Sequence, residues 1–243
     1  MKALYLKEIR SFLSSVIGYV FIVIFLITSG IFHWVISYDT NLLEGTEADL
    51  IPFFNMAPII FLILIPAITM RSFAEERRTG TIELLFTRPI SDFQIVMAKF
   101  LAGVTLVFIS LVPTFVYFFT MYYLGSPVGI IDEGATLVSY FGLLMIGAVF
   151  VSIGVFASAI TSSQIVAFIL AMFLCWFFND GLGLIGSFGT VGGLDKFFKF
   201  CGMSYHYDSI KRGVLDTSDL LYFIGMISLF TTASLTIIKS LKK

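Results

Sequence analysis

The side chains that could do chemistry are few, and most of them stand in one short run. Between two apolar stretches lies Met70-Arg71-Ser72-Phe73-Ala74-Glu75-Glu76-Arg77-Arg78-Thr79-Gly80-Thr81-Ile82-Glu83-Leu84-Leu85-Phe86-Thr87-Arg88-Pro89-Ile90-Ser91. Carboxylates and guanidinium groups in such a run make ion pairs and dock against partners, but they supply no nucleophile with its base. His33 and His206 stand apart from any metal-spacing or nucleophile pattern. Cys175 and Cys201, 26 residues apart, support neither a zinc site nor a disulfide framework, so no metal ligands are assigned. There is no Gly-Lys dipeptide, which excludes the phosphate-cradling G-x-x-x-x-G-K-[ST] loop, and no G-x-G-x-x-G opens a helix after a predicted strand. The chain is expected to bind no cofactor and to catalyse nothing by itself.

The rest of the sequence says what must position that run. Of 243 residues 58% are apolar and 13% charged, and mean hydropathy is +0.98. Soluble domains carry about a quarter charged residues, so the solvent here must be lipid. A net charge of −1 gives no reason to expect a nucleic-acid partner. Five stretches lack Asp, Glu, Lys and Arg for long enough to cross a bilayer, and the fourth, Gly134–Asn179, is 46 residues long. As one helix it would measure roughly 70 Å, over twice the hydrocarbon thickness. It must therefore fold back at its polar cluster, Thr161-Ser162-Ser163-Gln164. The expectation is six spans, at about 16–37, 51–70, 99–124, 137–160, 163–182 and 219–239.

Lysine and arginine set the orientation. Eleven of the fifteen basic residues fall on one side. They are Lys2, Lys7 and Arg10, then Arg71, Arg77, Arg78, Arg88 and Lys99, then Lys239, Lys242 and Lys243. The opposite side has Lys196, Lys199, Lys211 and Arg212, and its other two connections carry only acids: Asp39, Glu44, Glu47 and Asp49, then Asp132 and Glu133. Both termini are therefore expected in the cytoplasm. The first apolar run is long and lacks an A-x-A-like cleavage site, so it is read as a retained span and not a signal peptide.

Two segments beside the spans have shape. Residues 2–14 are amphipathic: Tyr5, Leu6, Ile9, Phe12 and Leu13 share one arc, and Lys7, Glu8, Arg10, Ser11 and Ser14 the opposite one. Such a helix lies in the membrane interface, as a charged anchor or as a docking surface. In the connection at 71–91, Gly80 can end a helix in the left-handed conformation and Thr81 can cap the next. Pro89 breaks that short helix, and Ser91 with Gln94 can form a capping box leading into span three. The result is a compact helical knob, suited to being pushed by a partner.

The run Glu75-Glu76-Arg77-Arg78-Thr79-Gly80-Thr81-Ile82-Glu83-Leu84-Leu85-Phe86-Thr87-Arg88-Pro89-Ile90-Ser91 resembles the most characteristic stretch of ABC-2 type ABC-transporter permeases. Lys7-Glu8-Ile9-Arg10-Ser11-Phe12 before Tyr19 is similar to that family's N-terminal interfacial helix. A third match is His206-Tyr207-Asp208-Ser209-Ile210-Lys211-Arg212-Gly213-Val214-Leu215-Asp216, followed by Asp219-Leu220-Leu221-Tyr222. Within the family the pattern is most similar to gliding-motility-associated permease subunits of the Bacteroidetes type. The nitrous-oxide-reductase maturation permeases share much of it.

The resemblance implies an all-α membrane protein: an interfacial helix at 1–15, then a six-span permease domain over 16–243 in the inner membrane. Two such subunits, identical or different, pair above two cytoplasmic ATPase chains, which use ATP and Mg. Arg71, Glu75, Glu76, Arg77, Arg78, Gly80, Thr81, Glu83 and Pro89 would form the ATPase-coupling region, with Lys7, Glu8 and Arg10 beside it. Between spans five and six, Gly181, Gly183, Gly186, Gly189, Gly192 and Gly193 precede amphipathic pieces at 194–201 and 204–214. In the family this region forms short helices dipping into the outer leaflet, where His206, Asp208, Arg212 and Gly213 are the candidates.

Within the spans, His33 is expected to reach the outer interface. Pro52, Pro58 and Pro66 suggest a bent second span. Gly147, Val151, Gly154 and Ser158 make a small-residue strip read as internal packing. The absence of other intramembrane charge and of an inverted repeat weighs against a secondary transporter working without an ATPase. A structural membrane subunit that moves no cargo stays open as an alternative.

Overall fold

A computed structural model of the chain describes residues 1–36, 41–43, 49–87, 89–187 and 195–242. Arg88, the acidic residues Asp39, Glu44 and Glu47, and Gly189, Gly192 and Gly193 lie outside them. Among the described residues helix is the only regular secondary structure. Six helices are long and apolar enough to cross a membrane: Val16–Trp34, Ile51–Arg78, Asp92–Leu124, Glu133–Ile160, Gln164–Ser187 and Thr217–Leu241. That is the all-α, six-span architecture expected.

α1 (Lys2–Ser14) precedes the first span and turns into it at Ser15, which takes an extended conformation and accepts the N–H of Gly18 to cap α2 (Val16–Trp34). α3 (Ile51–Thr69) has Pro52 in its first turn, where no intrahelical N–H is needed, and runs through Pro58 and Pro66 without a break. The knob follows as α4 (Ala74–Arg78) and α5 (Ile82–Phe86). α6 (Asp92–Leu111) starts at Ser91, whose hydroxyl accepts the N–H of Gln94 at 3.3 Å. Span three thus begins seven residues before the expected position 99, which puts Lys99 inside the helix rather than at its mouth. Pro113 interrupts that span with a short 3-10 turn before α7 (Phe115–Leu124).

α8 (Glu133–Ile160) is the axis of the bundle, packed by α3, α6, α9 and α13. The long fourth stretch folds back at Thr161–Ser163, as its length required. α9 (Gln164–Trp176) then continues through a π-helical turn, Phe177–Gly181, into α10 (Leu182–Ser187). Gly181, Gly183 and Gly186 are therefore helical and inside span five, not in a glycine-rich loop. α11 (Asp195–Cys201) and α12 (Met203–Ile210) match the two amphipathic pieces, and α13 (Thr217–Leu241) closes the chain. The small-residue strip of α8 is internal packing. A Cβ on Gly154 would overlap the hydroxyl of Thr69, and one on Gly147 would sit 2.8 Å from Val107.

The C-terminus returns to the end of the bundle that holds α1 and the knob. Lys242 lies 3.4 Å from Asp92 and 5.8 Å from the centre of the Phe86 ring. This is the terminal end. α10, α11 and α12 occupy the opposite end.

Candidate functional site: a buried lysine joining three helices

Lys99 sits on the face of α6 that also presents Ile95, Val96, Phe100 and Gly103, all buried. Its side chain is 2% exposed, and its Nζ donates to Glu76 Oε1 at 2.9 Å and to Glu8 Oε1 at 3.3 Å. The Phe73 ring lies 5.0 Å away. One ammonium group therefore holds α1, α4 and α6 together through two carboxylates that would otherwise repel each other. Lys7 adds a second cation at the rim, 3.7 Å from Glu8 and 3.9 Å from Glu76. Burying charge is costly unless it is paired and hydrogen-bonded. Here that cost is met by a network spanning three elements far apart in sequence.

α1 reaches this network because it packs along α6. Leu4 is buried, and Tyr5 Oη pairs with Thr105 Oγ1 at 2.8 Å. The sequence reading of this helix needs two corrections. Glu8, assigned to the polar arc, turns inward onto Lys99, and Leu6, assigned to the apolar arc, is 49% exposed. The bundle-facing side is thus centred on Leu4, Tyr5, Glu8 and Phe12, the i, i+4 and i+8 neighbours that share a face. Lys7 and Arg10 are exposed, as expected.

The knob is anchored to the end of α8. Ser158 Oγ accepts the N–H groups of Phe73 (2.9 Å) and Ala74 (3.0 Å) and donates to Met70 O (2.9 Å). A single hydroxyl thereby satisfies three backbone groups where α3 bends into α4. Arg77 Nη1 donates to Ala159 O at 2.5 Å, placing a guanidinium at the carbonyl end of α8, where the helix dipole favours a cation. Ser158 is therefore more than the packing residue the sequence suggested.

Gly80 has φ +72° and an empty surrounding, so the turn between α4 and α5 needs its backbone freedom and nothing else. Thr81 stands at the cap position of α5 but makes no capping bond. Its hydroxyl pairs instead with that of Thr79 at 2.9 Å. Arg71, Arg78, Thr81, Glu83 and Pro89 are exposed, and Leu84 is 66% exposed. Glu75 is half-buried and has no ion pair among the described residues. The structure thus brings Glu8, Glu76 and Lys7 together around Lys99, ties Arg77 to α8, and leaves Arg71, Arg78, Gly80, Thr81, Glu83 and Pro89 exposed.

At the opposite end the candidates separate. His206 is 1% exposed, meeting Asp219 Oδ1 at 2.7 Å through Nδ1 and Phe200 O at 2.8 Å through Nε2, with Tyr222 stacked on its ring. Tyr207 Oη donates to Phe54 O at 3.0 Å, and burial pushes its phenol well above the usual range. Ser139 Oγ donates to Lys211 O at 2.9 Å. Gly213, at φ +84°, lies so close to Ala135 that a Cβ would overlap it. His206 and Gly213 are fasteners for the short helices. Asp208 and Arg212 stay near the surface: Asp208 pairs with Lys211 at 2.5 Å, and Arg212 Nε donates to Asp208 O at 2.9 Å. His33, expected at the interface, is instead completely buried, with Nδ1 2.5 Å from Ser29 O and its ring against Phe53 and Tyr117. The aromatic cluster between α2, α3 and α7 offers it more contact than the membrane surface does.

Six apolar helices, one of them central, with a helical knob at the terminal end, describe a multi-pass membrane protein. The protein-family model described as ABC-2 family transporter protein matches residues 2–242, and the chain belongs to that family. Membership implies a membrane setting and an ATPase partner. No curated protein matches the chain.

Proposed function

We propose that this chain is the membrane-spanning half of an ATP-driven ABC-2 transporter, with the knob at 71–91 as its coupling element. Both termini then face the cytoplasm of a cell whose inner membrane holds the protein, following the side that carries most of the lysine and arginine. The observation that carries the reading is Lys99, buried between Glu76 of the knob and Glu8 of α1. A push on α4 cannot stay local, because α4 shares that ammonium with α1 and α6 and shares the Ser158 hydroxyl with α8. α3 is continuous with the knob on its other side, so motion there reaches α3, α6 and α8 together.

In this reading a separate cytoplasmic ATPase supplies ATP and Mg chemistry and seats on the exposed groups Arg78, Thr81, Glu83 and Leu84. A second permease subunit, identical or different, completes the path through the membrane. The resemblance to gliding-motility permeases favours a different one and a role in export or in driving a surface machine. The test is co-purification in mild detergent with the candidate ATPase. Glu83→Lys combined with Leu84→Asp should lose the ATPase while leaving the chain's elution and helicity unchanged. Undiminished ATPase recovery with that double variant would move the docking surface elsewhere.

A further inference from the structure

A cavity of about 220 Å³ lies beside the Lys99 network, between the α1–α2 corner and the α3–α4 bend. That is many times the space one water needs. Its polar wall carries both signs of charge. Lys99 and Glu8 are spent on the network, but Glu76 Oε2 is buried with no hydrogen-bond partner. Glu75 beside it has no ion pair, and Arg71 at the mouth has neither ion pair nor hydrogen bond, among the described residues. Ser11, Ser15 and Ser72 add hydroxyls to the wall. Glu76 Oε2 is itself closed to the cavity, so the groups left to a ligand are the Glu75 carboxylate within and Arg71 at the rim, Lys7 already lying 3.7 Å from Glu8 and 3.9 Å from Glu76.

Only a ligand that carries a hydrogen-bonding cation and an anion a few ångströms apart satisfies both sets. A simple anion would meet the carboxylates, and a simple cation would leave Arg71 unmatched. The remaining walls say where such a ligand comes from. Ile17 is in the first turn of α2 and Ile68 in the last turn of α3, so the cavity sits at the level where these apolar helices reach the membrane edge. We infer that this cavity seats the head group of phosphatidylethanolamine from the adjacent leaflet, its ammonium on Glu75 and its phosphate on Arg71. Phosphatidylcholine carries the same charges but has no N–H to give the Glu75 carboxylate. The site should therefore tell the two lipids apart by hydrogen bonding alone. The inference needs no ATPase and stands whether or not the knob is a coupling element.

The test is native mass spectrometry of the full chain released from nanodiscs of phosphatidylethanolamine, phosphatidylcholine and phosphatidylglycerol in equal parts. The expected result is one retained phosphatidylethanolamine per chain, favoured over phosphatidylcholine by about fivefold or more, the low end of what a lost bond to a charged acceptor costs. Glu75→Gln should bring that ratio towards one, whereas Arg71→Gln should lower retention of both lipids at an unchanged ratio and Arg71→Lys should keep retention. Unchanged elution and circular dichroism show that the variants are folded. Equal retention of the two lipids overturns the inference, as does a preference that survives Glu75→Gln or a retention that Arg71→Gln leaves unchanged. Loss of the lipid on adding the ATPase, with Arg71 then cross-linking to it, would assign the cavity to a partner side chain and overturn it too.

Discussion

The two ends of the bundle handle polar groups differently. At the α10–α12 end, several buried polar side chains find their partners within the chain. His206 has Asp219 and Phe200, Tyr207 has Phe54, and Ser139 has the carbonyls that end α12. Asp208 is exposed and paired with Lys211, while Asn179 Oδ1 and Asp195 Oδ1 are buried without a hydrogen-bond partner. At the terminal end the network is just as buried, yet it stops short of completion. Glu76 keeps an unpartnered oxygen, and Arg71 and Glu75 face a cavity. Leu84 projects from the knob. Both ends leave buried oxygens unmet, but at the terminal end unpaired charges also border a cavity. The contacts around His206 hold a shape, whereas charged groups that face a cavity can receive something, and the same chain has both.

The largest expected effect falls on Lys99. Lys99→Ala leaves two carboxylates facing each other inside the protein, a loss of about 3–5 kcal/mol for a broken buried pair. Thermal unfolding in detergent should show it as a clear fall in midpoint. A comparison variant, Lys99→Ala with Glu8→Gln and Glu76→Gln, should recover much of that loss. Gly213→Val comes next, because it combines a left-handed backbone with overlap on Ala135. Proteolysis between α12 and α13 should accelerate while the terminal end keeps its protection. If the two ends loosened together, the contrast drawn between them would fail.

Ser158→Ala removes one hydroxyl from three backbone groups and should cost about 1–3 kcal/mol. Hydrogen exchange at Phe73 and Ala74 should rise without change at α12. Gly80 separates backbone need from steric need. Since its surroundings are open, Gly80→Asn should be tolerated far better than Gly80→Val, because Asn enters the left-handed region and a β-branched residue does not. Similar losses for both, measured as ATP-dependent transport, would mean that space rather than φ matters. The smallest effect belongs to Asp208→Asn, an exposed pair worth within about 1 kcal/mol.

Much of the fold was legible because lipid leaves few choices. Charge-free stretches of the right length announce spans, and a stretch too long for one span must break where it is polar. Gly80 was legible for a related reason, as a glycine between two short helical runs has one obvious use. The centre of the candidate site was harder. Lys99 looked like one more basic residue near a membrane edge. Its burial follows from phase: in Ile95-Val96-Met97-Ala98-Lys99-Phe100 it shares the apolar face of α6, and Glu8 shares the corresponding face of α1. Two opposite charges on two apolar faces were a readable signal, but their pairing joins residues 91 positions apart. His33 escaped for the converse reason. A lone polar residue near a span end gives no hint that a cluster of rings from α3 and α7 will cover it.

The central claim is that the buried lysine carries motion from the knob into the spans, and one variant tests it directly. Lys99→Met keeps length and bulk while removing the charge. With Glu8→Gln and Glu76→Gln beside it, no carboxylate is stranded. In proteoliposomes containing the full complex, ATPase binding and ATP hydrolysis should persist while transport, or the ATP-driven change in span accessibility, falls at least tenfold. Transport that keeps pace with hydrolysis in that triple variant would contradict the claim and leave Lys99 as a fastener like His206.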